Sequence, residues 1–133
     1  KSEVCEFRCT MEKSVCSMLI EKGITFECQV LLEDNLARME QADGSELVSV
    51  DKEFHELLIR ATENELFSMI MEAVMIVYRE WIDLVLRRVN TKEKANLLNY
   101  HKQIYNSVLE RDEAAMKAAV DGHYHLISQM LAL

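Results

Sequence analysis

Four ionisable side chains occupy positions where helical spacing calls for apolar ones. In the segment DKEFHELLIRATEN, Asp51 and His55 stand four residues apart, about 40° in azimuth and about 6 Å along a helix axis, so both side chains can reach one point. Leu47, Val48, Phe54 and Leu58 share their face, which puts the pair inside the stripe that should meet the core. A carboxylate left unpaired there would be costly. The pattern recurs twice. His101 falls within a stripe of Leu97, Leu98, Ile104, Tyr105 and Val108, and His123 within one of Met116, Ala119, Val120, Leu126, Ile127 and Met130. His125 lies about 200° around from His123 and is expected at the surface.

A single core histidine is usually a structural residue satisfied by a carbonyl or a carboxylate. Three helices, each placing such a group near mid-length, point further. One aspartate oxygen and three imidazole nitrogens form a reasonable coordination set for a divalent transition metal. Zinc comes first among the candidates, with nickel, manganese or iron as alternatives, because these donor types do not select one ion. Two other metal templates fail. HELLI starts like the zinc-protease motif but has Ile59 where the second histidine would stand, and no histidine follows a glutamate at the three-residue spacing of di-iron bundles.

The elements that would position these residues are helical. The chain of 133 residues has no proline and three glycines, a composition that favours helix and suits one domain, residues 1–133. A first helix over about 3–22 has Val4, Phe7, Met11, Val15, Met18 and Leu19 on one stripe and ends at Gly23. Thr25 caps a second, running to about Gln41, with Leu32, Leu36 and Met39 inward. Ser45 is the expected cap of a third over about 46–61. Thr62 and Glu65 give a capping-box pattern for a fourth over about 65–88, with Asn64 sharing the work. That fourth helix is apolar over so much of its circumference that a central place, or one shared with a partner chain, is expected. Asn90 and Glu93 box the fifth, to about Glu110, and Asp112 caps the sixth. No strand-type alternation occurs. The expected fold is an all-α antiparallel bundle of about six helices, with a metal and ligand cavity at its centre.

A formal net charge of −8 makes this chain by itself a poor partner for a polyanion. The longest apolar run is broken by Glu72, Arg79, Glu80 and Asp83, so no membrane span is expected. Cys5, Cys9 and Cys16 stack along one helix face and, with Cys28, read as free thiols in a reducing cytoplasm. The opening KSEVCEFRCTMEK, without an initiator methionine, suggests an excised or processed chain.

DKEFHELLIRATEN, followed by HKQIYNSVLERDEAAMKAAVDGH, resembles the C-terminal effector-binding (FCD) domain of FadR-type regulators in the GntR family. The matching positions are Asp51, Phe54, His55, Leu58, Ala61 and Asn64, then His101, Arg111, Asp112 and His123. The first helix is similar too, with Arg8 and Glu12 four residues apart. The resemblance implies a sensor whose winged helix-turn-helix DNA-binding domain is absent from this chain. In the metal-containing branch it implies that Asp51, His55, His101 and His123 bind the divalent ion, and that a small carboxylate metabolite takes the remaining positions. It also implies a homodimer. Arg8 is a candidate second anchor for the carboxylate, although a simple helix pair with Glu12 accounts for it equally well. Tyr78 and Tyr105 are weaker candidates as hydroxyl donors. A metal-dependent hydrolase or oxygenase is the rival reading. It lacks a general base, because Glu56 sits about 100° around the helix from His55, so a non-enzymatic sensor is expected.

Overall fold

The computed structural model describes residues 2–132, leaving aside the side chains of residues 2, 77 and 78. Six helices follow in order: α1 (Ser2–Lys22), α2 (Phe26–Gln41), α3 (Gly44–Ala61), α4 (Glu65–Arg87), α5 (Thr91–Leu109) and α6 (Glu113–Leu131). Among the described residues there is no strand, and short loops join the helices. The fold is the expected all-α bundle. α5 packs on α6 and α6 on α1, while α3 lies between α2 and α4 and also touches α1. Fully buried Leu19, Leu32, Phe54, Leu58, Ile104 and Met116 tie these layers into one core.

Helix ends follow local chemistry. Thr25 accepts from the Cys28 amide, Asp112 accepts from the Ala115 amide, and Asn90 and Glu93 form the complete reciprocal box. Two caps differ from expectation. α3 starts earlier than Ser45 would allow, with Asp43 at the cap position making no side-chain cap bond. At α4 the cap is Asn64, which accepts from the Phe67 amide. Thr62 instead donates to the Ile59 carbonyl and accepts from the Asn64 amide, closing the end of α3. After α1, Gly23 has φ +84°, and a Cβ there would come 2.5 Å from the Arg111 guanidinium. The backbone conformation favours glycine, whereas the arginine tip could shift aside for a side chain.

Two faces also differ from the apolar stripes of the sequence. On α1 the buried residues are Cys5, Arg8, Glu12, Val15, Cys16 and Leu19, whereas Phe7 is 42% exposed. The helix is thus turned to bring Arg8 and Glu12 inward. α4 is not central: it packs on α3 and lightly on α6, and Leu66, Met69, Ile76 and Leu84 are exposed along it.

These assignments set an expectation for stability. Asn90→Ala removes a cap and half of a box and is expected to lower unfolding free energy by about 1 kcal/mol. Ser45→Ala, at an exposed position inside α3, should stay within about 0.5 kcal/mol of the parent. Urea denaturation followed by circular dichroism checks both, and equal effects would contradict the cap assignments.

Candidate metal centre

Each expected ligand is carried to the interior by a different turn of the bundle. Asp51 and His55 come from successive turns of α3, His101 from the middle of α5 and His123 from the middle of α6, and all four are buried. One donor atom from each of the three histidines lies within 4.8 Å of the other two. Asp51 Oδ1 stands 3.2 Å from His101 Nε2 and 3.7 Å from His55 Nε2. Tetrahedral zinc donors stand about 3.3 Å apart when each bond is about 2.0–2.1 Å.

Aromatic packing fixes the rings. Phe54 stacks on His101 with centroids 4.1 Å apart and planes 14° from parallel, and Tyr124 meets His123 edge-on at 4.7 Å. Neither contact uses a ring nitrogen. Both nitrogens of His101, Nδ1 of His123 and Oδ1 of Asp51 are buried without a hydrogen-bond partner. The Asp51–His101 approach is within ion-pair reach but is not aligned for a hydrogen bond. Buried polar atoms are seldom left this way, and several orphaned donors converging on one point are what a metal ion would satisfy. The residues fit the group.

The residue that reading the sequence missed as part of the site is Glu12. Its Oε1 lies 2.6 Å from His55 Nδ1, with both side chains buried. A proton held on Nδ1 and donated to Glu12 leaves Nε2, on the side of Asp51, as the ligating nitrogen. Carboxylate partners of this kind orient ligand histidines at metal sites. The spacing of Cys5, Arg8, Glu12, Cys16 and Leu19 carried the signal, since these residues share one helix face, but the larger hydrophobes drew the reading to the neighbouring stripe.

Electrostatics divides the cluster. Burial opposes charge on Glu12, yet His55 above all, with His123 and Arg8, holds its carboxyl down at about 2. Burial would likewise lower His55, but Glu12 and Asp51 outweigh it and push the imidazole up to about 9. Asp51 is held well below the usual carboxylate range by His101 and His55 against the effect of burial. His101 and His123 are lowered, first by burial. His101 and His123 are therefore neutral, the form that binds metals, whereas His55 would release its Nε2 proton to a bound ion.

A cleft of about 450 Å³ reaches the cluster from the side of α1, α3 and α4, with Arg8, Glu12 and His55 on its inner wall. A smaller hollow sharing Arg8 and Met75 extends to Asp51. Arg8 is buried, and its guanidinium carbon lies 5.5 Å from the centroid of the Tyr124 ring. It thus lies beside the ligands rather than on a solvated helix face. Tyr105 does not join them: its hydroxyl donates to Glu33 on α2 at 2.6 Å, away from the cleft. The Tyr78 side chain lies outside the described residues. His125 is exposed, as expected.

The Glu12–His55 contact gives a direct test. Glu12→Gln is expected to weaken zinc binding by about tenfold, the low end of effects at such positions, with helical content retained. Competition against a chromophoric chelator measures it, and unchanged affinity would remove Glu12 from the site.

None of the curated proteins or solved structures compared with the chain matches it. The family model described as "FCD domain" matches residues 3–126, which contain Arg8, Glu12 and all four expected ligands. The chain belongs to the FCD-domain family, the ligand-sensing regulatory domains of GntR-type regulators.

Proposed function

We propose that this domain belongs to the metal-containing branch of the FadR subfamily and senses a small carboxylic acid at a divalent ion held by Asp51, His55, His101 and His123. The observation that supports this most is the convergence of orphaned buried donors from α3, α5 and α6 next to a cleft with Arg8 in its inner wall. When bound, the ion supplies Lewis-acidic positions for an acid's oxygens. Arg8 offers a planar, permanently charged fork to the same carboxylate, and Tyr124 beneath it limits where that fork points. Glu12 keeps His55 in the ligating orientation. Apolar burial of the rings by Phe54 and Tyr124 excludes competing water.

Occupation would draw α1, α3, α5 and α6 toward one point. Regulation then requires that the acid bind one arrangement of the regulator more tightly than another. The output is DNA binding by the winged helix-turn-helix domain that such a regulator carries, in the cytoplasm. A homodimer is part of this reading, supported by exposed Leu66, Met69 and Leu84 on the outer face of α4. Among the described residues no helix is long and apolar enough to cross a membrane.

Elemental analysis of the purified protein, together with mass spectrometry of small molecules released on denaturation, is expected to find one divalent ion per chain and a carboxylic acid. Asp51→Ala and His101→Ala should each lose both the ion and the thermal stabilisation that the acid confers. That stabilisation is about 2.7 kcal/mol for the parent at a hundredfold excess over Kd. Variants that keep both would refute the assignment.

A further inference from the structure

We infer that the acid recognised here carries one anionic head and an apolar tail of several carbons, the tail lying in the cleft between α3 and α4. The inference rests on the proposed metal-anchored carboxylate and adds to it the class of acid. The cleft's volume of about 450 Å³ falls within the roughly 300–1,000 Å³ of pockets that enclose drug-sized molecules. An acid of two or three carbons, seated between Arg8 and the histidines, would leave most of it filled only with water.

The walls say what fills the rest. Beyond Arg8, Glu12 and His55, the cleft runs outward over Ile59, Met71, Met75 and Ile76. Ile59 and Met71 are 8% and 5% exposed, whereas Ile76 at the mouth is 76% exposed. This is an apolar track from the interior to solvent. Methionine side chains adapt to irregular apolar shapes, which suits a flexible chain. The rim gives no second anion site. Lys52, Arg60 and Arg79 line the cleft together with Glu56 and Glu72, and Arg79 is also paired with Asp83 at 4.0 Å. Against these three cations stand two carboxylates of the cleft and, for Arg79, Asp83 of the adjoining hollow, so a dicarboxylate would meet little net positive field at its far end.

Calorimetric titration of the zinc-loaded protein with the sodium salts of lactate, butyrate, hexanoate, octanoate and adipate tests the inference. Affinity for the monocarboxylates is expected to rise by about fourfold per added methylene until the track is filled, with lactate and adipate weaker than hexanoate. Ile76→Glu, at an exposed position that should not disturb folding, is expected to flatten that dependence by placing a carboxylate beside the tail. Lactate or adipate binding as tightly as hexanoate would overturn the inference and leave the metal-anchored carboxylate standing. A chain-length dependence that persists undiminished in Ile76→Glu would also overturn it. The same dependence in His101→Ala would uphold the apolar track and refute metal anchoring. Absence of binding by every acid would refute both.

Discussion

Everything in this bundle is arranged around a contact that a hydrophobic core should not tolerate: the Glu12 carboxylate against the His55 imidazole, 2.6 Å apart and both buried. Taking either charge from water alone costs several kcal/mol, on the order of what a whole domain has to spare. The pair lowers that cost by holding a proton between its members, with Asp51 on the other side of the ring. Replacing the pair with apolar residues of similar volume would often be as stable or more so. Its presence therefore points to a role beyond stability. The same geometry leaves one nitrogen each of His55, His101 and His123 close together, with Asp51 Oδ1 beside His55 and His101, so the contact that makes the cluster tolerable also prepares it for a ligand.

The rest of the architecture follows from keeping that centre assembled. α1 turns its charged residues inward and leaves Phe7 in solvent, sacrificing apolar burial to supply Glu12 and Arg8. Phe54 and Tyr124, neighbours in sequence to His55 and His123, hold rings by stacking rather than by hydrogen bonds, which leaves the nitrogens available. The ring-fixing contacts also join α3 to α5, and within α6 they seat His123 against Tyr124. Each neutral imidazole thus has its orientation set by apolar packing.

How much of this was legible in the sequence depended on whether a polar residue interrupted a strong apolar stripe. Asp51, His55, His101 and His123 did so on α3, α5 and α6, and the departure from expected burial marked them. Glu12 interrupted nothing obvious, because the stripe of Val4, Phe7, Met11 and Met18 lies beside the face that is buried. An Arg and a Glu at helical spacing also have an ordinary surface explanation in a local ion pair. Tyr105 misled for the opposite reason. Its position on the inner stripe of α5 was right, but its hydroxyl reaches across to Glu33 on α2, a tertiary pairing that no helical pattern reveals. α4 shows a third limit. Its broad apolar surface was equally consistent with a central helix and with one facing a partner, and only packing could separate them.

The peripheral place of α4 bears on how such a domain could respond to a ligand. The helices that carry the ionisable cluster are packed against one another on several sides, whereas α4 is held chiefly by α3 and contributes Met71, Met75 and Ile76 to the cleft. Elements with fewer buried contacts open at lower free energy than the core they cover. An occupant seated between α3 and α4 would therefore change the position of α4 more readily than that of the ligand-bearing helices. Its exposed apolar face, turned away from the cleft, would carry that displacement to whatever packs against it. The rigid half of the bundle would then recognise the acid's head, and the loosely held helix would report that the tail has arrived.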